Sequence, residues 1–134
     1  MNFSSLLTIF LVSFLFSVPV ITAQDEDYGA KISNLINKSN TKELAQYFNS
    51  TIQLVLPGDE GRYSRVQAEF IIKDFFSNYP PKSFNINHQG SSTDGSKYYI
   101  GDYKSGKKTF RTYFLVKKIN DQKLIHQLRF EEDK

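Results

Sequence analysis

SFNINHQGSSTDGSKYYIGDYKSGKKTFRTYFLVKKINDQKLIHQLRF, residues 83–130, decides the fold. Four stretches within it, 83–92, 97–105, 108–118 and 123–131, alternate side-chain character with a period of two, and turn-forming residues separate them. Such alternation belongs to strands with one face toward a core and the other toward water. The connections are short. Asp94-Gly95 and Ser105-Gly106 suit two-residue hairpins, and Asn120-Asp121-Gln122 suits a loop of two or three residues. The stretch therefore reads as a four-stranded antiparallel meander.

A slip of one residue exchanges the two faces of a strand, so the apolar pattern fixes the register. Pairing Gly90 with Tyr99, Tyr99 with Thr112 and Thr112 with Phe130 gathers Phe84, Ile86, His88, Tyr99, Tyr103, Phe110, Phe114, Val116, Leu124, His126, Leu128 and Phe130 on one face. That is the predicted core face. The other face sets Tyr98, Ile100, Tyr113 and Leu115 among charged neighbours such as Asp102, Arg111, Lys117 and Arg129. This register uses the three-residue version of the last loop, because the two-residue version turns Gln127 and Arg129 into the core.

Upstream, Tyr28, Ile32, Leu35 and Ile36 recur at helical spacing over residues 28–39. Asn40-Thr41-Lys42-Glu43 reads as a capping box that opens a second helix through Leu44, Ala45, Tyr47 and Phe48. Residues 51–56 (TIQLVL) form a strand-like run, closed by the loop Pro57-Gly58-Asp59-Glu60-Gly61. A second capping box, Ser64-Arg65-Val66-Gln67, starts the clearest helix, with Ala68, Ile72, Phe75, Phe76 and Tyr79 on one side and Pro80-Pro81 as its stop. Two helices, a strand, a long helix and a meander predict an α+β domain, its helices packed on the concave face of a curved antiparallel sheet.

Residues 6–20 (LLTIFLVSFLFSVPV) are almost wholly apolar, and Ile21-Thr22-Ala23 suits signal cleavage. The division expected is a signal peptide over 1–23 and a single domain over 24–134. Met1 to Ser5 holds no Lys or Arg, so an uncleaved anchor is the alternative reading. Against it, the run is at the short edge for a spanning helix, and the flank Gln24-Asp25-Glu26-Asp27 is acidic. The expected product is exported, periplasmic or extracellular, with no transmembrane segment after cleavage. Without any cysteine it carries neither a lipid-modified N-terminus nor a disulfide framework.

The sequence SRVQAEFIIKDFF followed by Pro80-Pro81, then FNINHQGSSTDGSKYYIG, TFRTYFLVKK and LIHQLRFE, resembles the nuclear transport factor 2-like, or cystatin-like, superfamily. More closely, residues 64–132 are similar to a small bacterial secreted group catalogued as domain of unknown function 4783. The resemblance implies a cone-shaped fold and an exported compartment. It brings no catalytic residue, because that group has no assigned activity.

The chain has 134 residues, 23% charged and 40% apolar, with 12 Phe and 8 Tyr, which is enough for one packed domain. His88 and His126 are its only histidines. Their strand neighbours, Phe110 and Val116, lie roughly 20 Å apart at about 3.3 Å per residue, so the pair cannot share a metal. No metal and no cofactor are expected. The acidic residues fall in termini, caps and turns or off the apolar helix stripe, and Gly-x-Ser-x-Gly and phosphate-loop patterns are absent. Between Lys97 and Arg129 nine basic residues face two acidic ones, interleaved with Tyr98, Tyr103 and Tyr113. Nucleic acid is not the expected partner, because the chain carries an export signal. A solvated strand face is the plainer reading.

The function expected is a non-enzymatic exported domain that binds a small apolar ligand or a protein partner. One alternative is a small cone-fold enzyme acting by proton transfer on a carbonyl or ring compound, which requires Glu69 or Asp74 to turn inward. Another is an envelope scaffold without a ligand. His88, Tyr99, Tyr103 and Thr112 are the candidate pocket. They either bond to one another and to helix residues, or line a wet cavity. Tyr98, Ile100, Tyr113 and Leu115 are the candidate interface, for a homodimer formed through the outer sheet face.

Overall fold

The structure is a computed structural model that describes residues 28–134. The signal peptide and cleavage site expected from the sequence lie outside the described residues. Helix α1 (Tyr28–Asn37) leads into α2 (Thr41–Gln46), and the strands β1 (Phe48–Leu56) and β2 (Asp59–Ser64) follow. Helix α3 (Arg65–Asn78) precedes β3 (Ser83–Ser91), β4 (Lys97–Ser105), β5 (Lys108–Ile119) and β6 (Gln122–Glu132). The six strands form one curved sheet in the order β2-β1-β6-β5-β4-β3, with the helices on its concave face. The meander is antiparallel as expected. The sheet as a whole is mixed, because β1 lies parallel to β6. Among the described residues no helix is long and apolar enough to cross a membrane.

Local chemistry explains the helix limits. Ser39 takes a left-handed φ of 53°, and the Asn40 and Ser39 N–H groups donate to the Leu35 and Ile36 carbonyls, a Schellman ending for α1. Asn40 then accepts from the Glu43 N–H and starts α2. That helix is shorter than expected: Tyr47 caps it, and Phe48 is the first residue of β1. At α3 the full capping box is present, with Ser64 accepting from the Gln67 N–H and Gln67 accepting from the Ser64 N–H.

β2 was not expected. Pro57-Gly58 alone makes the turn, with Gly58 at φ 79°, and Asp59 already pairs with Leu56. DEGRYS is polar and nowhere fully buried, so it carries no apolar alternation. Position in space makes it a strand, since β1 needs a neighbour on its free side.

Two bulges correct the predicted register. The last hairpin uses a two-residue turn, Asn120-Asp121, with both residues at positive φ (49° and 63°) and Ile119 opposite Gln122. One extra residue in β6 then shifts the register between Leu115 and Val116. Ile125 therefore faces the core, while Leu124 and His126 are only half-buried. Beyond the bulge Thr112 stands opposite Phe130 as expected, and Gln127 and Arg129 stay on the outer face. Tyr99 pairs with Phe114 rather than Thr112, a shift of two that preserves the face. In β3 the register slips between Ile86 and His88, so Gly90 pairs with Tyr98 and not with Tyr99. The connection from β3 to β4 is also longer than a two-residue hairpin. Ser92 to Ser96 form it, and Asp94 accepts from the Ser96 hydroxyl and N–H.

The core fills the concave side. Phe75 and Phe76 of α3 meet Tyr103, Phe110 and Phe130 of the sheet, with the Phe75 and Phe130 ring centroids 4.7 Å apart. Each such ring contributes about 1.5–3 kcal/mol of burial. α1 covers the β3 end through Ile32, Leu35 and Ile36.

Candidate functional site

The four residues read as a pocket do not come together. Tyr103 is fully buried, and its hydroxyl donates to the Tyr79 carbonyl at the end of α3. Burial holds that hydroxyl well above the ordinary phenol range, so it remains a donor. Thr112 is equally buried, and its Oγ1 donates to the Phe110 carbonyl at 3.4 Å. These two belong to a closed core. His88 is a correction: the β3 bulge turns it to the outer face, where it is exposed with its ring 5.8 Å from Tyr98.

Tyr99 alone reaches an opening. Its ring stacks on Phe114 at 4.7 Å, and the residue is 6% exposed. Above it sits Gly29, whose missing side chain matters: a Cβ there would lie 2.7 Å from Tyr99 Cε1. Glycine lets the first turn of α1 rest on the tyrosine ring. Beside that contact a cleft of about 560 Å³ opens between α1 and β3. Ala30 and Ser33 form one wall, Ile86, Gln89 and Gly90 the other, and Tyr99 the floor, with Lys97 also on the lining. Hydroxyl, amide and glycine groups dominate it. Alternation in the sequence could not reveal this cleft, because its walls are a helix and a strand edge rather than a strand face.

Asn37, at the end of α1, is a second residue the sequence reading missed. It appeared there only within an ordinary helix stretch. Its carboxamide accepts from the Phe84 N–H at 2.8 Å and donates to the Phe84 carbonyl at 2.9 Å.

The outer-face residues do come together. Tyr98 stands opposite Leu115 and Ile100 opposite Tyr113, and the Tyr98 and Tyr113 rings stack at 6.3 Å. All four are half-buried. Gly90 lies beneath the Tyr98 ring, where a Cβ would collide with it. Arg111 stands between Asp102 and Glu131 in the register, and Arg129 pairs with Glu131 at 3.3 Å.

The carboxylates that proton transfer would need are elsewhere. Asp74 is exposed and accepts from Asn78. Glu69 borders a surface groove with Lys42, Phe70 and Lys73. Among the described residues no three His, Asp or Glu side chains gather to hold a metal ion. His126 Nε2 is buried without a partner at the β6 bulge. Burial, then the Lys117 charge, hold its imidazole below the ordinary range.

The sequence of residues 30–131 matches the model of a protein family described as Domain of unknown function (DUF4783). The chain belongs to that family. Solved DUF4783 structures are similar. One from Bacteroides uniformis is 27% identical with a TM-score of 0.74, the match covering 81% of this chain and 99% of that one. One from Bacteroides ovatus is 28% identical with a TM-score of 0.72, covering 78% and 94%. A protein of unknown function with a cystatin-like fold from Nostoc punctiforme is 10% identical with a TM-score of 0.63, covering 78% and 85%, a likeness of fold alone. No curated protein matches the chain. This DUF4783 domain thus has the nuclear transport factor 2-like, cystatin-like fold that its motifs resemble.

Proposed function

We propose that this DUF4783 domain is an exported, non-enzymatic interaction module that pairs with a second copy through its outer sheet face. The observation that carries the reading is the stacked Tyr98–Tyr113 pair with Ile100 and Leu115 beside it, a half-exposed apolar island in the middle of a sheet whose other face is covered. A patch of this kind loses its contact with water when it meets its own copy across a two-fold axis. Arg111, Arg129 and Glu131 around it supply both charge signs for such a pairing. The positions of Glu69 and Asp74 outside the cone favour binding over turnover. Sedimentation at tens of micromolar tests the reading. Wild type is expected to be dimeric and Tyr113→Lys monomeric, and a monomeric wild type overturns it.

A second reading is favoured by the cleft over Tyr99. Its volume suits a small molecule, and its hydroxyl and amide lining moves the expected ligand from an apolar one to one that hydrogen-bonds. Native mass spectrometry of protein purified from its own host reports any retained compound, and a bare mass in every preparation counts against this reading.

A further inference from the structure

We infer that the cleft beside α1 is a strand-addition site, which takes an extended polypeptide segment of a partner protein along the free edge of β3. This rests on the reading of the cleft as a binding site and names its occupant.

β3 is an edge of the sheet. In an edge strand the N–H and C=O of alternate residues point away from the sheet and seek partners. At Phe84 the fold provides one: Asn37 makes with that residue the two main-chain bonds a neighbouring strand would make. Ser33 Oγ reaches the same carbonyl at 3.5 Å. That cover stops there. Ile86 is next in the alternation and Gln89 follows the bulge, and among the described residues nothing bonds the outward main chain of either. This uncovered part of the edge is the wall of the cleft.

The opposite wall is shaped to leave room. Gly29 and Ala30 put no side chain longer than a methyl into the groove. From Ile86 to Ser91 the edge runs roughly 16 Å, enough for an extended segment of about five residues. The chemistry of the lining selects the occupant. Glycine and amide groups read main chain rather than large side chains, so the segment carries small residues on its cleft side. Lys97, opposite Ser91 at the far end, favours an acidic residue there.

The experiment uses the mature chain. Hydrogen exchange first compares the outward amides of Ile86, Gln89 and Ser91 at several protein concentrations; they are expected to exchange fast in every one. Protection in the free protein that ignores concentration would give the edge to the chain's own upstream residues, and protection that grows with concentration would give it to a second copy. Either overturns the proposal. Random linear peptides displayed on phage are then selected on the wild type. An enriched peptide is expected to protect these amides, to lose binding when N-methylated at alternate positions only, and to bind Ala30→Arg at least about tenfold more weakly. Phe70→Ala, at an exposed position of α3 outside the cleft, is expected to bind it normally. No enrichment, protection elsewhere, or tolerance of methylation at every position overturns the proposal. If Ala30→Arg expels a host-derived small molecule while no peptide binds, the cleft reading stands and strand addition falls; if neither occurs, both fall.

Discussion

The concave side of the sheet has two ends that treat their polar groups oppositely. At the α3 end, Tyr103 donates to the Tyr79 carbonyl, Thr112 to the Phe110 carbonyl, and the rings of Phe75, Phe76, Phe110 and Phe130 pack around the tyrosine. At the α1 end, Tyr99 lies under a glycine beside an open cleft, and the outward-facing main chain of β3 beyond Phe84 has no partner among the described residues. Both ends hold tyrosines on the same face. The difference lies in what the covering helix offers: α3 presents Phe75 and Phe76, whereas α1, after Tyr28, sets Gly29 and Ala30 beside the cleft. A helix of large residues seals a sheet, and a helix start of small ones leaves it accessible.

Breaking the closed end should cost most. Phe75→Ala removes a ring in contact with Phe76, Tyr79, Tyr103, Phe110 and Phe130, and is expected to lose about 3–5 kcal/mol in urea unfolding. Phe70→Ala on the same helix, at a residue 66% exposed, should stay within about 0.5 kcal/mol. Tyr103→Phe leaves the part-buried Tyr79 carbonyl without its donor and is expected to cost about 1–3 kcal/mol. A loss within about 0.5 kcal/mol would remove the closed character of this end.

The smallest effect concerns pH. His126 has its folded pKa held below the unfolded value, so the folded state binds the proton less readily than the unfolded chain does. Its contribution is present in full above the unfolded value near pH 6.5 and is lost as pH falls from there through the lower folded value. Denaturation midpoints measured on both sides of it are expected to drop on the acid side in wild type and to drop less in His126→Leu.

The strands and the long helix were legible because their signals are local. Alternation over residues 97–118 and the box from Ser64 to Gln67 each show within one segment of chain. The bulges were not legible, since an inserted residue is placed by its partner strand. The β6 bulge restored the register at Thr112 and Phe130 that the wrong loop length had been chosen to save, while the β3 bulge sent His88 to the opposite face from the one alternation assigned. The apolar island on the outer face was readable, because Tyr98, Ile100, Tyr113 and Leu115 lie on two strands joined by a short turn. The cleft was not, because Gly29 and Gln89 meet only in space. The same reason hid the role of Asn37: nothing in a helix sequence announces that one carboxamide will stand in for a strand.

The parallel pairing of β1 with β6 bears on how the chain acquires its shape. Leu54 and Leu128 lie side by side in the finished sheet, although about two thirds of the described domain separates them along the chain. Closing so long a loop is slow and cannot begin until the last strand is available. A polypeptide still emerging from a ribosome or a translocation pore therefore lacks the neighbour against which its first strand must settle. Until residue 128 arrives, Ile52 and Leu54 have β2 as their one strand neighbour, and the sheet cannot close.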